Sequence, residues 1–210
     1  MNSDEEPPIS GAPVPEGRLF ALFKQVLGSY SVLKPVDYVH LLSIARFKRL
    51  PKGEFIIKAG EYHYDIIIVL KGLLRNYILD EAGEERTMLF VPERKNAGSY
   101  RTVLRDQPSV ENVLALEDSW IVATDFREFE RLAQSSPSLR HYQNLLLKEL
   151  LASTVDQVWS HVGLSPEQRY LEFCRNFPKL AQRVTQKDLA SYLGITPTSL
   201  SRIRARIAQS

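Results

Sequence analysis

One cysteine, Cys174, in 210 residues leaves no partner for an internal disulfide. It also leaves too few thiolates for a cysteine-ligated zinc site or iron–sulfur cluster within one chain. Histidine is scarce too. His40, His63, His141 and His161 are the four present, and no two of them form an H-x-H or H-x-x-x-H pair. The histidines and carboxylate that a metal-dependent jelly-roll enzyme gathers on one ion are therefore not laid out in this sequence. His63, beside Tyr62, Tyr64 and Asp65, reads as part of a polar surface turn. G-x-S-x-G, P-loop and dinucleotide fingerprints are missing, so no enzyme class is indicated and no cofactor is called for. Long apolar runs are missing as well: the longest aliphatic stretch, Ile66 to Leu70, is far too short to span a bilayer. The opening MNSDEEPPIS has neither the basic start nor the apolar core of a secretory leader. These absences lead to the expectation of a soluble, cytoplasmic protein with no membrane segment.

The composition is that of a globular protein, 44% hydrophobic and 25% charged, with enough apolar material for a core. The net charge of +2 conceals an asymmetry. Residues 1–17 carry four acids and no base, whereas 162–210 carry eight bases against three acids. A basic C-terminal segment invites a test against nucleic acid.

Residues 1–17, rich in Pro, Gly, Ser and acids, read as a disordered tail. Between Arg18 and Arg46 the apolar positions recur at helical spacing, which predicts two short helices. From Phe47 to Val122 the pattern becomes short β runs: Phe47–Leu50, Glu54–Lys58, Ile66–Leu70, Leu73–Leu79, Arg86–Val91, Val110–Leu116 and Trp120–Ala123. Turn glycines separate them, which indicates a sandwich, barrel or jelly roll. Pro92 to Pro108 reads as loop with a short helix over Tyr100–Leu104. A helix follows at Phe126–Ala133, and Ser135-Ser136-Pro137 ends it and caps the next. Ser138 to His161 forms one long helix with much apolar surface. It either packs back on its own sheet or pairs with the same helix of a second subunit. Gly163 closes it, and Ser165-Pro166-Glu167-Gln168 opens another helix. Cys174, on that helix among Leu171, Phe173 and Phe177, reads as a buried structural thiol rather than a redox switch.

The segment from Val184 to Ile207 has the organisation of a helix-turn-helix. Thr185 caps a helix whose buried side is Leu189, Ala190 and Leu193. Gly194 makes the turn, Ile195 plugs the space between the helices, and Thr196 with Pro197 starts the second helix. There Leu200, Ile203 and Ile207 share one face, while Thr198, Ser201, Arg202 and Ala205 point away. Small side chains permit close approach to a groove, and Arg202 suits a bidentate contact to guanine. Thr185, Lys187, Arg204 and Arg206 suit phosphates. The candidate DNA-binding set is thus Thr185, Gln186, Lys187, Thr196, Pro197, Thr198, Ser201, Arg202, Arg204 and Arg206.

From about Leu19 onward the chain resembles the Crp/Fnr family, relatives of the catabolite activator protein, and in particular its short Bacteroidetes-type forms. The resemblance rests on Lys52-Gly53-Glu54, Gly60-Glu61, Lys71-Gly72-Leu73-Leu74-Arg75 and Leu116-Glu117-Asp118. Its most specific part runs from Tyr192 to Arg204. It implies an α+β chain: an N-terminal double-stranded β-helix (a jelly roll of cyclic-nucleotide-binding type), a long dimerisation helix and a C-terminal helix-turn-helix. The expected division is a tail over 1–17, a sensor domain over 18–134, the dimerisation helix over 135–162 and the DNA-binding domain over 163–210. The implied activity is transcription regulation in a bacterial cytoplasm. The implied partners are double-stranded DNA, a second copy of the chain and a small-molecule effector. A dimeric sensor that no longer binds DNA is the alternative.

Two departures qualify the resemblance. Cyclic-nucleotide binders of the family hold the phosphate with a Gly-Glu pair and, about ten residues on, an arginine and a small residue. Here Asn96 to Val113 contains no Gly-Glu, Ser109 stands where the arginine is expected, and Glu111 follows. This argues against cAMP and leaves Tyr100, Arg101, Arg105 and Ser109 as the candidate effector pocket. The sequence also ends at Ser210, soon after the reading helix, so a full wing is lacking. Fewer phosphate contacts are expected in consequence.

Overall fold

The computed structural model describes residues 16–28 and 31–209. The tail reading for 1–17 therefore falls outside the described residues, except for Glu16 and Gly17, which begin the first helix. Helices α1 (Glu16–Gly28) and α2 (Pro35–Ser43) lead into eight strands. These are β1 (Arg46–Leu50), β2 (Phe55–Ile57), β3 (Asp65–Lys71), β4 (Leu74–Leu79), β5 (Glu85–Val91), β6 (Asn96–Gly98), β7 (Asn112–Ala115) and β8 (Ser119–Asp125), with α3 (Tyr100–Arg105) between β6 and β7. Helices α4 (Phe126–Ser135), α5 (Pro137–Gly163), α6 (Pro166–Asn176), α7 (Pro178–Arg183), α8 (Gln186–Tyr192) and α9 (Pro197–Ile207) follow.

The strands form two antiparallel four-stranded sheets, β1-β8-β3-β6 and β2-β7-β4-β5. Their facing sides bury Leu50, Ile57, Ile67, Val69, Leu74, Val113 and Ile121 in a core between the sheets. The alternate residues Ile68 and Leu70 of β3 point the other way, into a second apolar layer made with α1, α2, α4 and the start of α5. A strand buried on both faces has no polar side, and this explains the unbroken aliphatic run at Ile66–Leu70. Asp37 ties the helical layer together: it accepts from the Lys34 amide and from the hydroxyls of Ser136 and Ser138 at 2.6–2.8 Å. Ser136 also caps α5. Gly72 stands at φ +105°, where a side chain would meet Ser119 at once.

Two elements depart from the sequence expectation. Asn96–Gly98 is a strand rather than loop, paired with Ile66–Ile68 of β3. Its residues are weak strand formers, so the pairing is imposed by the neighbouring strand. Pro178–Arg183 makes the extra helix α7, too short for periodicity to reveal. Cys174 is half-buried rather than buried, and its neighbours Leu171 and Phe177 are exposed, because the C-terminal helices bury Phe173 instead. Ile207 is likewise only half-buried.

Candidate functional site

The C-terminal hairpin is built by local rules. The Thr185 hydroxyl accepts from the Asp188 amide at 3.1 Å and donates to the Asp188 carboxylate at 2.7 Å, capping α8. Gly194 turns the chain at φ +69°, and the Ile195 amide reaches back to the Ala190 carbonyl. Thr196 then caps α9 by accepting from the Ser199 amide, and Pro197 fills its first turn. Leu189, Ala190, Leu193 and Leu200 are fully buried between the two helices.

The opposite side of α9 faces out. Thr196, Pro197, Thr198, Ser201 and Arg202 are all exposed, as are Thr185, Gln186 and Lys187 at the start of α8. Gln186 spans the two helices, donating to the Pro197 carbonyl at 2.9 Å and to the Ser201 hydroxyl at 2.6 Å. Arg202 and Lys187 have no ion-pair or hydrogen-bond partner among the described residues. The other two arginines turn back onto α6. Arg204 is half-buried over the Tyr170 ring and bonded to its hydroxyl at 3.3 Å, and Arg206 pairs with Glu167 at 2.8 Å. The structure thus gathers the α9 N-terminal residues, Gln186 and Lys187 on one surface, with Arg204 and Arg206 at its margin.

This hairpin is not a free tether. Helix α8 lies on β5, where Arg75, almost wholly buried, holds the junction. Its guanidinium reaches Glu85 at 2.6 Å, Asp188 at 3.1 Å and the Thr87 hydroxyl at 2.8 Å, over the ring of Tyr77. Ser191 donates to the Glu85 carbonyl and accepts from the Thr87 amide. Nearby, Arg183 binds Glu93 at 2.9 Å and Glu117 at 2.5 Å. Burial pushes the Glu93 carboxyl up, but the Arg183 bonds and the backbone amides of Glu93 and Gly72 together outweigh it and hold Glu93 below the ordinary carboxylate range. Phe90, Phe173 and Tyr192 each contact the other two ring to ring, and Leu73 joins Leu180, Leu189 and Leu193 in one apolar cluster. Leu73, Arg75, Glu117 and Tyr192 carry the family resemblance and Leu189 and Leu193 the buried side of α8, but nothing in the sequence joins them into a junction. Strand alternation does place Arg75 and Tyr77 together opposite Leu74, but it names no partner a hundred residues away.

Helix α5 has two apolar sides. Its inner side carries Leu139, Tyr142 and Leu146 onto the helical layer, and farther on Gln157 and Ser160 onto the Met88 carbonyl and Glu172. At about 100° per residue, Leu151, Val155, Val158 and Val162 fall on the opposite side. They keep 65%, 37%, 54% and 83% of their surface exposed. An aliphatic stripe of this length left exposed on one helix is uncommon on a lone soluble chain.

The expected effector residues are only partly assembled. Tyr100, Arg101 and Arg105 flank a shallow depression along α3, with Arg101 bonded to Gln107. Ser109 lies apart from them in function: it is buried, and its hydroxyl is used within its own turn, donating to the Glu111 carbonyl and accepting from the Glu111 amide. One carboxylate oxygen of Glu111 is buried without a hydrogen-bond partner among the described residues, and burial pushes that carboxyl above its ordinary range. Among the described residues no cluster of His, Cys, Asp or Glu could hold a metal ion, and no helix is long and apolar enough to cross a membrane.

Comparison with known proteins agrees with this architecture. Residues 47–136 match the cyclic nucleotide-binding domain family. The regulatory protein HlyX of Actinobacillus pleuropneumoniae is 25% identical over 178 residues, which cover 80% of this chain and 73% of HlyX. The fumarate and nitrate reduction regulatory protein of Escherichia coli K12 is 25% identical, over 80% of this chain and 70% of its own length. Among solved structures, FixK2 from Bradyrhizobium japonicum superposes with a TM-score of 0.69 at 18% identity, covering 79% of this chain and 85% of FixK2. That likeness is one of fold.

Proposed function

We propose that this chain is a transcription regulator of the Crp/Fnr type that binds double-stranded DNA as a homodimer. The observation that carries the reading is the exposed face of α9. Small residues and Arg202, which has no partner among the described residues, stand on its outer side, over a hairpin whose inner side is packed. Arg202 reads a base edge, most simply guanine, in the major groove. Lys187 and the helix starts at Thr185 and Thr196 hold phosphates, and Gln186 fixes the reading helix by its bonds to Pro197 and Ser201. Arg204 and Arg206 contribute positive field from the margin of the surface.

The outer stripe of α5 is the dimer seam. It sets the two reading helices about one DNA turn apart, roughly 34 Å, so that the operator is a two-fold site. A signal at the β-roll acts by changing its packing on α5 and on the Arg75 and Arg183 junctions, and a shift of a few ångströms there alters the fit to paired half-sites. Cyclic AMP is not that signal. Where a cyclic phosphate would need an arginine the chain has Ser109, already bonded within its turn, followed by the buried carboxyl of Glu111. As a DNA-binding protein the chain works in the cytoplasm, beside the chromosome.

Selection of bound sequences from a random duplex pool, with the natural chain and Arg202→Ala in parallel, tests the reading. A two-fold motif is expected, blurred at one fixed position per half-site in the variant. Recovery of no motif at low salt, where phosphate attraction is strongest, would refute it in favour of a dimeric sensor that no longer binds DNA.

A further inference from the structure

The inner side of α5 does not close fully on the β-roll. A cleft of about 280 Å³ remains between α5, β3 and the turn after β5. Its walls are apolar, among them Phe23, Ile68, Phe129, Leu146 and Leu150, and one end reaches Phe90. Polar groups stand at its rim. Arg94 is exposed, in the left-handed region at φ +68°, and its guanidinium has no partner among the described residues. Tyr100 lines the cleft as well. Burial, with Glu111 and Glu149 nearby, pushes its hydroxyl up to about 12, so it remains a neutral donor. The carboxylate at the rim, Glu149, is ion-paired with Lys95 at 2.7 Å.

We propose that this cleft is the effector site and that it takes a small amphipathic carboxylate, its apolar body inside and its anionic end on Arg94. The proposal rests on the regulator reading above and deepens its sensing step. It moves the site from the set Tyr100, Arg101, Arg105 and Ser109, expected from the sequence, to the inner face of α5, with Tyr100 common to both. At about 30 Å³ per water-sized group, the cleft holds roughly nine or ten heavy atoms, the size of an eight-carbon acid. An apolar lining with one or two placed polar groups is the ordinary form of a small-molecule site.

The position gives the ligand its effect. Cleft residues Leu146 and Leu150 lie on the side of α5 opposite Leu151, Val155, Val158 and Val162. An occupied cleft and a paired seam therefore do not compete for surface. The Phe90 end touches the ring cluster with Phe173 and Tyr192 that seats the DNA-binding hairpin. An occupant thus bears on the dimer helix and the hairpin seat together.

Calorimetric titration of the full chain with octanoate and with octanol, in the absence of DNA, tests this. Saturable binding at one octanoate per chain is expected, about tenfold tighter than octanol. Arg94→Gln, a change at an exposed side chain, should remove that difference while leaving octanol binding unchanged. Lack of saturable octanoate binding, or an acid preference that survives Arg94→Gln, would overturn the proposal. Neither result touches the DNA-binding reading, which ligand-free selection decides separately.

Discussion

On the proposed α5 seam, replacing Val158 with aspartate should split the dimer without unfolding the protomer. The outer stripe of α5 retains 65%, 37%, 54% and 83% of the surface of Leu151, Val155, Val158 and Val162. Full burial of such a side chain contributes ~2 kcal/mol, so covering the four yields roughly 5 kcal/mol per protomer and twice that for a symmetric pair. Part of this is offset by the entropy of association. Val158→Asp removes about 1 kcal/mol of burial per protomer, or about 2 per dimer, which by itself weakens association roughly thirtyfold. Two carboxylates brought close to a two-fold axis must also be desolvated beside one another, which adds to the loss. Sedimentation equilibrium on the natural chain and the variant measures the constant, and far-ultraviolet circular dichroism confirms that the protomer is still folded. Val39→Asp, on an exposed residue of α2 away from the stripe, serves as the control and should leave association unchanged. If Val158→Asp stays dimeric with an unaltered constant, or Val39→Asp dissociates equally, the stripe is not the seam.

Two further changes probe the β-roll. Gly72→Ala places a Cβ 2.2 Å from the Ser119 hydroxyl and 2.7 Å from the Ser119 Cα, at φ +105°. Backbone strain and overpacking together should cost about 2–4 kcal/mol, read as a lowered urea midpoint; a loss under ~1 kcal/mol would mean that Ser119 moves aside freely. Glu111→Gln tests the buried carboxyl. Its folded pKa is raised by burial, so its favourable contribution is complete below the unfolded value and is lost as pH rises through the folded one. The glutamine variant should therefore melt at the same temperature as the natural chain in acid and at a higher one above neutrality, whereas parallel melting curves at all pH would show that Glu111 is solvated.

What the sequence settles by itself is local. Turn glycines between short β runs, the Ser136 and Ser165 caps, and the Thr185 to Ile207 string each specify their element through neighbours a few residues away. The reading face of α9 follows from the same arithmetic, because burying Leu200 and Ile203 turns Thr198, Ser201 and Arg202 outward. Long-range features were not available in this way. Asn96–Gly98 becomes a strand because β3 offers it an edge, not because its residues favour one. Arg204 and Arg206 look as free as Arg202 in the sequence, and only the packing of α6 supplies Tyr170 and Glu167 to engage them. Ser109 looks like a pocket residue until its hydroxyl is found closing its own turn. Arg75 and Asp188, 113 positions apart, meet only when α8 settles on β5. A cap or a turn is decided by groups already tethered within hydrogen-bonding reach. An ion pair, a cleft or a shared apolar seam depends on which distant surfaces are brought together to exclude water, and that choice belongs to the whole fold.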